Sequence, residues 1–417
     1  MKHQTEFGEI PIEWQVKQVI DIKNEAKRAI AMGPFGSNIK ADNFVESGVP
    51  VIRGTNMNFA KFVDGEFVFL TEEKADELLG SNCQPNDLVF THRGTIGQVA
   101  LIPENKYPRY VISQSGMKLT VNHEIMDSEF LFYFFKSEYG QYQILKYESQ
   151  VGVPSISNPL TSLKEMCVPV PPLLEQKAIA SVLSSLDDKI DLLHRQNKTL
   201  EAMAETLFRQ WFIEEAKEDW EELSVSDIAI HVKDNVNPSR DPLETFYHFS
   251  LPAFDSGQKP TSELGSEILS NKYRVSKNSI LVSKLNPRVP RIWLVSNVED
   301  NYVCSTEFQN LKPKVTAHLM FLYSLFNSRD VIDELTMSAS GTSGSHQRVK
   351  PEDMLNITFR TPCLDYLEQY SSLIAPSMQK VASNKQQIQT LENLRDTLLP
   401  KLMSGEVRVQ YQTEEVA

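Results

Sequence analysis

The chain has 417 residues, 41% hydrophobic and 23% charged, enough for two or three domains each with its own core. Its formal net charge of −13 lacks the basic excess expected of a free-standing nucleic-acid binder, so any duplex would have to be shared with a basic partner. No apolar run reaches bilayer length and the start, MKHQTEFGEIPIEW, lacks the layout of a signal peptide, which predicts a cytoplasmic protein that makes no use of a membrane.

Taken in order, the first part of the chain reads as mixed α and β. Trp14 to Ile22 opens it, and short apolar runs separated by turn residues predict strands at Val49 to Ile52, Phe67 to Leu70, Leu88 to Phe90, Gln98 to Ile102, Tyr110 to Ser113 and Met117 to Val121. Gly33 to Asn38 and Val151 to Asn158 read as loops, and the bulky Leu131 to Phe135 as a buried helix. From Leu173 to Phe212 the pattern changes. Core-like side chains at Ile179, Val182, Leu186, Ile190, Leu193, Asn197, Leu200, Ala204, Leu207 and Trp211 fall on one helical stripe, started by the stop of Pro169, Pro171 and Pro172. The step of four from Leu186 to Ile190 predicts local unwinding of the seam. Roughly 40 residues at about 1.5 Å each make a rod on the order of 60 Å long.

The chain then repeats itself. Trp220 to Ile230 matches Trp14 onward at an offset of 206, and Asn278 to Ser283 matches Asn86 to Thr91 at 192. Phe321 to Leu325 matches the buried helix, and strands are predicted at Ile280 to Ser283, Arg291 to Ser296 and Tyr302 to Ser305, with a loop at Ala339 to Ser345. Met32 to Glu77 and Lys233 to Leu269 share little, so the halves have a common frame and unlike fronts. A second amphipathic stretch, Asp365 to Met403, repeats Leu174-Glu175-Gln176 at 367 to 369 and Thr199-Leu200-Glu201 at 390 to 392. Two such helices should pack on each other as an antiparallel or parallel coiled coil, with Asn197, whose match in the repeat is the apolar Ile388, as a single register-fixing polar residue at the seam, and with Pro376 delaying the second helix to about Ser377.

Catalytic motifs are missing. The sequence carries no phosphate-binding G-x-x-x-x-G-K-[ST], no dinucleotide G-x-G-x-x-G, no H-E-x-x-H and no G-x-S-x-G. The eight histidines lack metal-ligand spacing, with His92, His231 and His346 reading as surface or satisfied residues, and Cys83, Cys167, Cys304 and Cys363 read as reduced structural thiols. No metal site is predicted. Polar, glycine-punctuated loops at matching places in both halves point instead to nucleic acid, since Arg and Lys reach guanine edges or phosphates and Asn, Ser and Thr read bases or bind phosphate oxygens. The candidates are His92, Arg93 and Thr95 against Lys284, Asn286, Arg288 and Arg291, then Ser155, Ser157 and Asn158 against Ser345, His346, Gln347 and Arg348. Arg53, Asn56 and Asn58 form a third cluster without a counterpart.

The phrases Pro171 to Ala180, Leu186 to Ile190 and Leu398 to Val407, in the order variable domain, helix, variable domain, helix, resemble the specificity subunits of type I restriction-modification systems. The resemblance covers nearly the whole chain, with Asp365-Tyr366 departing from the family pattern before the second Glu-Gln. It implies an α+β chain with two similar α/β target-recognition domains, at 1–172 and 214–364, separated by long helices at 173–213 and 365–405 packed as an antiparallel coiled coil, and a tail at 406–417. It further implies a non-catalytic subunit that reads a split target in double-stranded DNA beside two methyltransferase subunits, joined in the full complex by two restriction subunits. S-adenosylmethionine, ATP and Mg would belong to those partners, with no cofactor in this chain. The competing expectation is a coiled-coil adaptor whose repeated domains bind proteins.

Overall fold

The computed structural model describes residues 2–58, 61–149, 152–340 and 347–410. They fall into two units, one of 1–194 with 386–417 and one of 195–385. Each long helix contributes to both: the central helix runs Leu173–Arg209 and the C-terminal helix Leu364–Met403.

The first unit is built on two four-stranded sheets. In one, Leu88–Thr91 and Gly116–Leu119 pair antiparallel, flanked by Val99–Leu101 and Ile30–Met32. In the other, Tyr110–Ile112 runs parallel to Val49–Ile52 and antiparallel to Asn82–Cys83, with Val68–Leu70 at the edge. The strands that the sequence predicts are present within a residue or two at their ends, and nearly all are buried, so both sheets are covered. Against the first sheet lies Ser128–Lys136, a helix apolar all round, with Phe130 through Phe135 buried. Gly33 is required by close approach: a Cβ there would sit 1.8 Å from the Ser113 carbonyl oxygen.

The second unit repeats this topology. Ser279–Ser283 lies between Phe308–Pro313 and Ile292–Val295, with Ala229–His231 at the edge, and Tyr302–Cys304 runs parallel to Thr245–Phe249 and antiparallel to Lys272–Arg274. The pairing persists between Met32 to Glu77 and Lys233 to Leu269, where the sequences share little, because ladders are made by backbone groups. The repeated asparagines Asn86 and Asn278 both sit at positive φ, 69° and 54°, ahead of equivalent strands, a conformation that Asn tolerates better than most side chains. The buried ion pair of Asp87 with Lys118, 3.5 Å apart, is replaced at the same offset by Ser279 and Asn310. The fold therefore does not need a buried charge pair there.

Within each unit the two long helices run antiparallel. In the first, Ile190 and Leu193 pack with Ile388 and Leu391, and Asp187 accepts from Arg395 at 2.9 Å. Asp187 also accepts from the buried Tyr133 hydroxyl at 2.8 Å, so the irregular step after Leu186 marks a buried polar position that ties helix to domain. Ala180 and Leu183, which lie off the predicted stripe, join Ile179 of that stripe in the domain core, a broader face than the seam alone predicts. In the second unit Phe208 and Phe212 extend the core around Tyr370, whose hydroxyl donates to Ser324 at 2.9 Å. The central helix ends there in a π turn, Gln210–Glu214.

Three details differ from the sequence reading. The C-terminal helix does not wait for Ser377: it continues from Leu364 through Pro376, at the cost of one missing backbone donor, because tertiary packing of Leu367, Tyr370, Ile374 and Met378 holds both sides. Asn197 is not a single Asn at the seam: it meets Asn384, whose amide donates to its side chain at 2.8 Å. The repeated Leu-Glu-Gln does not repeat its environment. Glu175 and Gln176 are fully buried, Glu175 accepting from Trp14 Nε1 at 3.1 Å and from Arg408 at 2.6 and 3.0 Å, and Gln176 bonding the backbone of Ile125, Asp127 and Pro171. Gln369 is exposed, and the position answering Glu175 is Tyr366, which meets Trp220 edge to face.

Replacing Asn384 by Leu leaves the buried Asn197 amide without its partner and should lower stability by about 1–3 kcal/mol. The double replacement N197L with N384L should recover most of that loss. Urea midpoints of the two single variants and the double variant read the coupling, and an additive result would show that the pair does not act as a unit.

Candidate nucleic-acid interface

The two loops that the sequence matches across halves are brought together in each unit, by backbone hydrogen bonds. In the first unit the segment after strand Leu88–Thr91 is laced to the segment at 154–156. Ile156 donates to the His92 carbonyl at 2.8 Å, Gly94 to Pro154 at 2.9 Å, and Arg93 bridges Ser155. The second unit has the same stitches. Val349 donates to Lys284 at 2.9 Å, Asn286 to Gln347 at 2.9 Å, and Leu285 bridges Arg348. A third stitch holds both loops from the other side: His92 donates to Ser115 and Lys284 to Glu307, each at 2.9 Å. Backbone lacing fixes the loops while leaving side-chain identity free, a suitable platform for residues that read bases.

The side chains on that platform differ in availability. Arg93, Thr95 and Arg288 are exposed, and the guanidinium groups of Arg93 and Arg288 have no hydrogen-bond or ion-pair partner among the described residues. Thr95 contributes its carbonyl to the Thr91 hydroxyl. Ser157 and Asn158 are exposed at the start of Pro159–Glu165, with Asn158 at φ 46°. Asn286 also takes a positive φ, 49°. Lys284 is half-buried, and desolvation lowers its pKa against the opposing pull of Glu307. Arg348 is exposed but bidentate to Glu307, and Arg291 is bidentate to Asp255 at 2.7 and 2.9 Å, with its side chain 16% exposed. Ser345 and His346 lie outside the described residues.

The third cluster is corrected in one respect. Asn56 is a buried brace: its amide donates to the carbonyls of Asp64 at 3.0 Å and Glu66 at 2.9 Å, so it holds the loop and presents nothing to a ligand. Arg53 and Asn58 are exposed beside it, Arg53 donating to the Glu66 carbonyl at 3.3 Å. Gln98, absent from the sequence candidates, joins this cluster to the Thr91 loop by donating to Gly54 at 3.2 Å and to Asn58. Glu307 and Asp255 were also missed. Glu307 could have been found by aligning it with Ser115 at the offset of 192, whereas Asp255 lies in the stretch without a matching sequence.

His92 is a satisfied, buried residue: its Nε2 meets the Gln114 carbonyl at 3.0 Å, and burial lowers its pKa. Burial also lowers that of His231, to about 4. Both rings are neutral in the folded chain at neutral pH, while the unfolded chain protonates them near 6.5. A folded-state pKa below the unfolded one means that the unfolded state gains protons first on acidification. Stability should therefore fall as pH drops from about 6.5 toward 4, and His231→Gln should flatten part of that slope, read as urea midpoints against pH.

Among the described residues no group of three or more His, Cys, Asp and Glu side chains could hold a metal ion, and no helix is long and apolar enough to cross a membrane. Residues 11–202 match the type I restriction modification DNA specificity domain. The chain is 26% identical to the type I restriction enzyme MjaIX specificity subunit of Methanocaldococcus jannaschii over 98% of its own length and 96% of that protein. It is 25% identical to the HindI specificity subunit of Haemophilus influenzae over 43% and 40% respectively. A crystal structure of a type I restriction-modification S subunit from M. genitalium shares the fold across 97% of both chains, with a TM-score of 0.63 at 17% identity. With its two topologically similar units and antiparallel helix pairs, the chain has the fold of that S subunit, carries a match to the type I DNA specificity domain over residues 11–202, and is similar over nearly its whole length to a type I specificity subunit.

Proposed function

We propose that this subunit reads a bipartite duplex target, one half with each unit, and directs two methyltransferase subunits to it, with two restriction subunits in the complete enzyme. The observation that carries the reading is the identical backbone lacing of two loops in each unit beneath unlike exposed side chains. Shared geometry with different residues is what two different half-targets call for. On this reading 1–172 and 214–364 are the target-recognition domains and 173–213 and 365–405 the spacer helices. S-adenosylmethionine is held by the methyltransferase subunits, and ATP and Mg by the restriction subunits. Basic surface on the partners answers the net charge of −13, which this chain alone does not offset.

Arg93 and Arg288 are the free arginines of the two platforms. In the complex with the methyltransferase subunits, Arg93→Ala should weaken discrimination in one half of the target and Arg288→Ala in the other, each by about tenfold. Binding of a panel of substituted duplexes at fixed salt measures this, and loss in the same half for both variants would exclude one unit per half-target.

The helices supply the spacing. Four residues added to the central helix between Asp187 and Ala202, matched by four in the C-terminal helix, add about 6 Å of rise. Methylation mapping should then show the unspecified spacer lengthened by roughly two base pairs at about 3.4 Å each, and an unchanged spacer would remove the ruler.

A further inference from the structure

One ion pair on the platforms occurs in the second unit alone. Arg348 Nε donates to Glu307 Oε2 and Nη2 to Oε1, both at 3.1 Å, and the side chains are 56% and 30% exposed. At the corresponding places in the first unit stand two serines. Ser155 bridges Arg93 as Arg348 bridges Leu285, and Ser115 accepts the His92 amide as Glu307 accepts that of Lys284. The first unit therefore keeps the same lacing with no charge at either place, so the pair is not what holds the loops. An exposed pair of this kind also contributes little to stability.

What the carboxylate does is fix a flexible side chain. Arg carries several rotatable bonds, and ordering them on binding opposes affinity. Glu307 occupies the Nε–Nη2 edge of the guanidinium and raises its pKa, while Nη1 makes no hydrogen bond among the described residues. The edge formed by Nη1 and the second N–H of Nη2 is thus left with two parallel donors. That fork matches the O6 and N7 acceptors that guanine alone presents side by side in the major groove. Arg291 lacks this character because it is largely covered against Asp255, and Arg288 has no carboxylate to hold it.

We propose that Arg348 reads a guanine in the half-target of the second unit and that Glu307 is its positioning residue. The proposal rests on the DNA-reading function above and adds to it a base, an atom pair and a supporting side chain. A bidentate contact of this kind is worth about 1–3 kcal/mol, roughly 5- to 150-fold in discrimination.

The test uses the complex with methyltransferase subunits and duplexes substituted at every position of the target, including 7-deazaguanine, which removes the N7 acceptor. The wild type should show one guanine in the second half-target whose replacement, by another base or by 7-deazaguanine, costs about tenfold or more. Arg348→Ala should erase discrimination at that position only. Glu307→Gln should lower it several-fold at the same position, with first-half discrimination and melting temperature unchanged. Uniform weakening on all duplexes by Arg348→Ala would make the residue a phosphate contact and overturn the proposal. So would full discrimination in Glu307→Gln, which would leave the carboxylate without a positioning role. If the wild type prefers no duplex at all, the DNA-reading function fails as well, an outcome distinct from either of these.

Discussion

Neither long helix can bury its apolar stripe alone, and this constraint shapes everything attached to them. Each unit meets it by setting a piece of the central helix antiparallel to a piece of the C-terminal helix and then covering the outer row with its own domain. Polar residues mark the places where the packing must not slide. Asn197 meets Asn384 in one unit, and Asp187 collects Tyr133 and Arg395 in the other. Burying such groups is unfavourable unless they are paired, so an axial shift by one residue would strand them.

On that frame the domains divide labour between backbone and side chain. Central strands and the lacing bonds of the two loops are backbone interactions, indifferent to which residues carry them. The exposed side chains of Arg93, Arg288 and Arg348 are free of any duty in holding the chain together, as Ser155 and Ser115 show by standing where Arg348 and Glu307 stand in the other unit. A scaffold with that separation can change what it reads without changing how it folds.

How much of this was legible follows from the kind of interaction involved. The helical stripes, the buried Phe130 to Phe135 helix and most strands were readable because burial imposes a period on the sequence. The shared topology of Met32 to Glu77 and Lys233 to Leu269 was not, since ladder bonds leave no residue signature. Partners distant in sequence were equally hidden: Asn384 for Asn197, Asp255 for Arg291, Glu307 for Arg348. The matched loops were found from the repeat, yet composition could not separate the exposed Arg93 from the buried Asn56, because Asn is as common in a brace as in a contact. Leu367-Glu368-Gln369 misled for a related reason: identical letters two positions out of phase place Leu367, not a glutamine, at the buried spot.

The discontinuous first unit sets an order of events during synthesis. Residues 195–385 are contiguous and can collapse once they have left the ribosome, whereas residues 1–194 lack 386–410 until those later residues have been made. Until then Ile190 and Leu193 have no Ile388 or Leu391 to cover them, and Glu175 waits for Arg408 with its carboxylate against Trp14. Of the two units, the one begun earlier is thus completed later, and it carries an uncovered apolar strip through the interval in between.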